Sequence, residues 1–150
     1  MQLQEVKQGD FMISTDKQKL DVNYIHHYLS VESYWAQNIP FETVQKSIEG
    51  SLCFGVFDEA KQIGFARMVT DGATFAYLAD VFVDEQYRGK GLSKWLMQSI
   101  MAHPDLQGLR RVVLVTRDAQ GLYSQFGFEP LNDADKYMQI RVINAYKNLL

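Results

Sequence analysis

The chain has very little of what would anchor it outside an ordinary soluble fold. One cysteine in 150 residues excludes a disulfide framework, and three histidines beside it leave little for a structural zinc site. Three prolines and ten glycines are too few and too scattered for a linker, and no repeat or low-complexity tract divides the chain. Nothing approaches the ~18 consecutive apolar residues of a membrane span. The first residues, Met1-Gln2-Leu3-Gln4-Glu5, lack the basic flank and apolar run of a secretory signal. These absences point to a cytoplasmic protein with no membrane partner. Basic charge is also scarce. Fifteen Lys and Arg against eighteen Asp and Glu give a net charge of −3. Arg88-Gly89-Lys90 and Arg110-Arg111 are the tight basic clusters, too short for a nucleic-acid footprint but sufficient for one small polyanion.

What is present is 47% hydrophobic residues in a length that suits a single domain, residues 1–150. Thr15-Asp16-Lys17-Gln18 fits a capping box, with Thr15 as N-cap, and opens a helix through about Ser30. Pro40 and Gly50 suit the start and stop of a second helix. Stretches 51–58, 62–70 and 74–83, rich in Phe, Val, Ile and Tyr, are separated by polar turns and predict three antiparallel strands. Leu92, Trp95, Leu96, Ser99 and Ile100 then mark an amphipathic helix ending near His103-Pro104. The almost wholly apolar run 111–116 reads as a strand covered on both faces. A short helix at 119–126 and a closing strand at 136–142 complete the order. Strand, crossover helix and strand in the middle imply parallel pairing inside an otherwise antiparallel sheet. The class is α+β, or mixed α/β.

The most informative stretch joins a buried strand to a helix: Val81-Phe82-Val83-Asp84-Glu85-Gln86-Tyr87-Arg88-Gly89-Lys90-Gly91-Leu92-Ser93. Unpaired amides at such a turn point outward and are backed by the positive end of the helix dipole. Two glycines let the backbone approach a ligand closely, and Arg88 and Lys90 add charge. That chemistry suits a di- or polyphosphate. The Walker pattern is absent, and the dinucleotide fingerprint fails because Lys94 stands at its third glycine.

Gln-x-x-Gly-x-Gly at 86–91 instead resembles the pyrophosphate motif of the GCN5-related N-acetyltransferases (GNAT). A second stretch, Thr116 to Phe128, is similar to that family's Asn-x-x-Ala-x-x-Leu-Tyr-x-x-x-Gly-Phe, with Ala119, Leu122, Tyr123, Gly127 and Phe128 in register. The resemblance implies a mixed, mostly antiparallel sheet with a central parallel pair and helices on both faces. It also implies acetyl-CoA as co-substrate, direct transfer to an amine without metal, and a homodimer in many members. It departs from the pattern at Thr116, where many relatives carry Asn, leaving that pantetheine contact missing or taken over by Asp118. Ser93 stands where a third small residue is usual.

The resemblance assigns the thioester and oxyanion to the backbone of Val81, Phe82 and Val83, and the pyrophosphate to the amides from Arg88 through Gly89, Lys90, Gly91 and Leu92 to Ser93. Tyr123 matches the residue that protonates the leaving thiolate; the plainer reading is a core tyrosine. Asp80 inside an apolar strand demands a reason. It takes the amine proton, attracts a cationic acceptor, or pairs with Arg67. Tyr34 and Trp35 fall where relatives shape the acceptor pocket, or anchor the core. Cys53 reads as strand core. The acceptor would be a small-molecule or peptide amine. The alternatives are an idle acyl-CoA-binding sensor and a protein-lysine acetyltransferase.

Overall fold

The computed structural model describes residues 1–147. Six strands form one sheet in the order β1-β2-β3-β4-β5-β6: β1 Glu5–Gln8, β2 Phe11–Ser14, β3 Leu52–Asp58, β4 Lys61–Thr70, β5 Phe75–Val83 and β6 Arg111–Leu114. The first four pairings are antiparallel, and β5 with β6 is parallel. The class is therefore the mixed α+β arrangement expected, and β3, β4 and β5 fall within a residue or two of the stretches read from sequence.

Two elements differ from expectation. The hairpin β1–β2 was not legible, because Glu5-Val6-Lys7-Gln8 carries one apolar residue and no alternation. Its support is tertiary: β2 pairs along β3 from Phe11↔Asp58 to Ser14↔Gly55, and the Ser14 hydroxyl donates to Glu5 Oε2 at 2.6 Å. The closing strand expected at 136–142 does not form. That segment has apolar alternation but no paired neighbour, and Met138 and Ile140 stand fully in solvent. The strand read at 111–116 also ends early, at Leu114. Its four residues are only partly buried rather than covered on both faces, and Val115 is 84% exposed.

The first helix is broken rather than continuous. Asp16, not Thr15, caps a single 3-10 turn, Lys17–Lys19, by accepting from Gln18 N. Thr15 instead ties the chain to the β1 end, its Oγ1 accepting from Gln4 N at 2.8 Å. Leu20 is extended, and Asp21 caps α1, Val22–His27, through Tyr24 N. A wider π-type turn, Tyr28–Glu32, follows. Helix α2, Phe41–Glu49, starts after Pro40 and stops at Gly50 as read. Helices α3, Leu92–Met101, and α4, Gln120–Ser124, complete the set.

The sheet is covered on both faces, which is why β3 and β4 appear in sequence as continuous apolar runs. Phe54, Val56, Ala66, Met68 and Leu78 join α3 through Leu96, Met97 and Ile100. Their neighbours Cys53, Phe65 and Phe82 point the other way, into a cluster with Ile25, Leu29, Val44 and Ile48 of the α1–α2 layer. Cys53 is 1% exposed, and burial pushes its thiol up to about 11. It is a core residue. His103, also fully buried, caps the 3-10 turn after α3 by accepting from Asp105 N and meets Gln2 O through Nε2 at 2.9 Å, fixing the N-terminus to the end of α3.

Candidate active site

The site begins with a pairing that stops. β5 and β6 are in register only from Phe75↔Arg111 to Leu78↔Leu114. β5 continues to Val83 beyond that point, so its edge from Ala79 onward loses its parallel neighbour and opens a cleft. On the other side of β5, Arg67 pairs with Ala79 and Phe65 with Phe82. Asp80 and Val81 together therefore oppose Ala66 alone. This is a β-bulge, and Asp80 sits at its turn with φ +55. Asp tolerates this left-handed region better than most residues. The bulge aims Asp80 sideways.

There its carboxylate is held at both oxygens. Arg67 Nε donates to Oδ2 at 2.8 Å, and the Trp35 indole N–H donates to Oδ1 at 2.9 Å. Arg67 in turn donates through Nη1 to Ser51 Oγ at 3.1 Å. The ion-pair reading of Asp80 is thus realised as a contact, and the same contacts bring Trp35 beside it. Tyr34 packs edge-on against Trp35 and reaches the opposite wall. Its hydroxyl accepts from Arg117 N at 3.0 Å, and the Arg117 guanidinium lies 3.9 Å over its ring. This clasp between the α1–α2 connection and the β6–α4 loop was not foreseen; one aromatic and one arginine 83 positions apart leave no sequence signal.

Tyr123 stands on α4 at the same cleft, 9% exposed, with its ring edge-on to Phe128 at 5.9 Å. Burial raises its hydroxyl above the usual phenol value, which keeps it a proton donor at neutral pH. Thr116 Oγ1 accepts from Ala119 N at 3.1 Å and so shapes the entry to α4. Asp118 borders the cleft, two-thirds exposed, 3.8 Å from the Arg117 guanidinium. The cleft encloses about 1130 Å³ and brings Tyr34, Trp35, Asp80, Val81, Asp118 and Tyr123 together. Residues 141–147 also line it, a contribution that the expected closing strand hid.

The glycine turn lies beyond the end of β5. Gly89 and Gly91 have φ +82 and +77, and nothing stands within 4 Å of where a Cβ would point. Backbone conformation, not packing, requires glycine there, and open space lies over the turn. The first helical bond of α3 runs from Trp95 N to Gly91 O. The amides of Leu92, Ser93 and Lys94 are therefore free of intrahelical partners. Arg88, Gly89, Lys90 and Gly91 are exposed, with Arg88 Nη2 3.5 Å from Tyr28 OH. Leu92, Phe82 and Val83 bury their side chains, so only their backbone can meet a ligand. Phe82 stacks on Tyr28 with ring centroids 3.7 Å apart. A polar, amide-lined turn at one end and a narrow splayed strand edge at the other suit a long ligand with an anionic head and a thin arm.

Known proteins carry the same pattern. Residues 49–130 match the model of the acetyltransferase (GNAT) domain. A Gibberella zeae protein provisionally named an acetyltransferase is 33% identical over 139 residues, covering 78% of this chain and 77% of that one. The crystal structure of a Xanthomonas campestris protein placed in the GNAT family as an acetyltransferase is 50% identical, covers 91% of this chain and 96% of its own, and superposes with a TM-score of 0.89. The Escherichia coli ribosomal-protein-S18-alanine N-acetyltransferase, at 21% identity and a TM-score of 0.66 over 81% of this chain and 79% of its own, shares the fold. The chain belongs to the GNAT family of acetyltransferases.

Proposed function

We propose that the protein transfers an acetyl group from acetyl-CoA directly to a primary amine of a small molecule or peptide. The observation that carries this reading is the opening of β5 from β6 after Leu78↔Leu114, with Asp80 and Tyr123 on one cleft and the Gly89–Gly91 turn beyond it. In this reading the turn amides from Arg88 to Ser93 hold the pyrophosphate, assisted by the α3 dipole. The pantetheine arm lies along the freed edge of β5, where backbone groups of Val81, Phe82 and Val83 position the thioester and its oxyanion. Asp118, rather than Thr116, faces the arm, since the Thr116 hydroxyl already caps α4.

The acceptor enters beside Tyr34 and Trp35 as an ammonium and meets Asp80. A primary amine near pKa ~10.4 must lose a proton before it can attack. Each Asp80 oxygen has a second lone-pair direction beyond its bond to Trp35 or Arg67, so Asp80 can receive the ammonium and pass its proton to water. The nitrogen then bonds to the carbonyl carbon and gives its second proton to water as the carbon–sulfur bond breaks. The Tyr123 hydroxyl gives its proton to the departing thiolate and is restored from solvent. The acceptor pocket lies within this domain, between the α1–α2 connection and the β6–α4 loop, which favours a small amine or a peptide terminus.

The test is release of CoA thiol with a panel of amines, amino-acid amides and short peptides. Turnover with at least one amine supports the reading. Tight binding of acetyl-CoA with no turnover across the panel would identify an acyl-CoA sensor instead.

A further inference from the structure

The cleft is more positive than the chain around it. Among the described residues, its charged lining is Arg67, Arg117, Arg141 and Lys147 against Asp80 and Asp118. Four cations meet two anions, a surplus of two positive charges on a chain whose net charge is −3. Each carboxylate already has a cation beside it. Arg67 Nε donates to Asp80 at 2.8 Å, and the Arg117 guanidinium lies 3.8 Å from Asp118. Arg141 and Lys147 have no carboxylate partner among the described residues. Their charge stands uncompensated on the cleft wall.

Acetyl-CoA does not account for that surplus. Its pyrophosphate belongs to the glycine turn, which has Arg88 and Lys90 of its own and does not line the cleft. The pantetheine arm and the thioester, the parts that run past Asp80, carry no charge. An anionic group in the cleft must therefore come from the acceptor. Arg67 brings such a group close to the amine. It commits Nε to Asp80 and Nη1 to Ser51 Oγ, and its Nη2 has no partner among the described residues. A guanidinium holds five donors in a planar fork that matches a carboxylate. An acceptor for an ammonium and a donor for a carboxylate thus stand within one ion pair of 2.8 Å. In an α-amino acid, a single carbon likewise separates the two charges. A polyamine would set its second cation against unpaired positive charge, and a peptide would offer a neutral carbonyl.

We propose that the acceptor is a free α-amino acid, its ammonium on Asp80 and its carboxylate on Arg67 Nη2 and Arg141, with Lys147 adding to the positive wall. This rests on the acetyl-transfer reading above and narrows its acceptor to one class. The amine nitrogen takes the acetyl group, CoA leaves as the thiol, one proton goes to water, and the carboxylate is untouched. The product is an N-acetylamino acid.

CoA release is compared for alanine, methionine, phenylalanine and glutamine, each beside its own α-amide. At least one acid should exceed its amide tenfold or more in kcat/KM. The amide's less basic amine holds more free base at neutral pH, so intrinsic reactivity runs the other way. Arg141→Gln, at an exposed position, should narrow the acid-to-amide ratio at least fivefold, and Lys147→Gln at least twofold. Calorimetry on the CoA-loaded protein reads the same preference without turnover: the acid should bind at least tenfold more tightly than its amide. Amides used as well as the acids overturn the amino-acid inference and leave acetyl transfer standing. Acetyl-CoA binding with no turnover of any amine overturns both. O-phosphoethanolamine outperforming every amino acid would overturn the carboxylate, and a folded Arg141→Gln enzyme with an unchanged ratio would overturn its anchor.

Discussion

The indole N–H of Trp35 reaches Asp80 across 2.9 Å and 45 positions of sequence, opposite the Arg67 guanidinium on the other carboxylate oxygen. The α1–α2 connection is thereby tied to the bulge in β5, where that strand parts from β6. A residue half in solvent, Trp35 at 42% exposure, is held in place by a hydrogen bond rather than by the core. Trp35→Ala should therefore leave the fold intact and raise KM for the amine at least fivefold, with KM for acetyl-CoA nearly unchanged. Steady-state kinetics with each substrate varied would check it; equal changes in both would mean that Trp35 anchors structure alone.

Asp80 separates charge from conformation. Asn also tolerates the left-handed backbone, so Asp80→Asn should fold normally and lower kcat/KM for the amine at least tenfold. Asp80→Ala, lacking the polar side chain that eases φ +55, should lose a further ~1–2 kcal/mol of stability. Denaturant melts of the two variants beside their kinetics would test both halves.

At the glycine turn, Gly89→Val or Gly91→Val should raise the acetyl-CoA dissociation constant at least tenfold, about 1.4 kcal/mol. Space is available for the side chain at both positions, and the cost is backbone strain that withdraws the amides. Arg88→Ala should do less, because an exposed charge is screened by salt. Titration calorimetry measures each; unchanged affinity in a folded valine variant would remove the pyrophosphate assignment.

Tyr123→Phe keeps the ring against Phe128 and deletes the hydroxyl. Turnover should fall by ~10²–10⁴-fold while acetyl-CoA affinity holds. Single-turnover kinetics distinguishes chemistry from product release. An unaltered single-turnover rate would leave Tyr123 a packing residue.

Alkaline stability follows from Cys53. Its thiol is raised in the folded chain to about 11, from an ordinary value of 9, chiefly by burial. A raised acid contributes stability that is complete below the unfolded value and is lost as pH climbs through the folded one. The thermal midpoint should accordingly fall between pH 9 and 11. The buried hydroxyls of Tyr24, Tyr28 and Tyr123, also raised mainly by desolvation, add to the loss above pH 10. Cys53→Ala should flatten the decline between pH 9 and 10, as calorimetry across that range would show.

The polypeptide's local chemistry determined a good deal. Pro40 opens α2 because its fixed φ acts without a partner, and Gly50 follows the last turn at an ordinary φ of −90. The Phe- and Val-rich runs became β3, β4 and β5, and positive φ at Gly89 and Gly91 made the turn before α3 a property of the residues themselves. The place of Tyr123 on a short helix was legible from its spacing within a motif. Tertiary structure decided everything that depends on what lies opposite. The polar β1–β2 hairpin forms because packing lays it along β3, whereas the apolar 136–142 is laid along no strand and stays unpaired. Asp80 became a held carboxylate because one extra residue in β5 turned it toward Arg67 and Trp35. Propensity and turn chemistry are written residue by residue, whereas a strand's partner and a carboxylate's neighbours depend on which distant segments packing brings within about 3 Å.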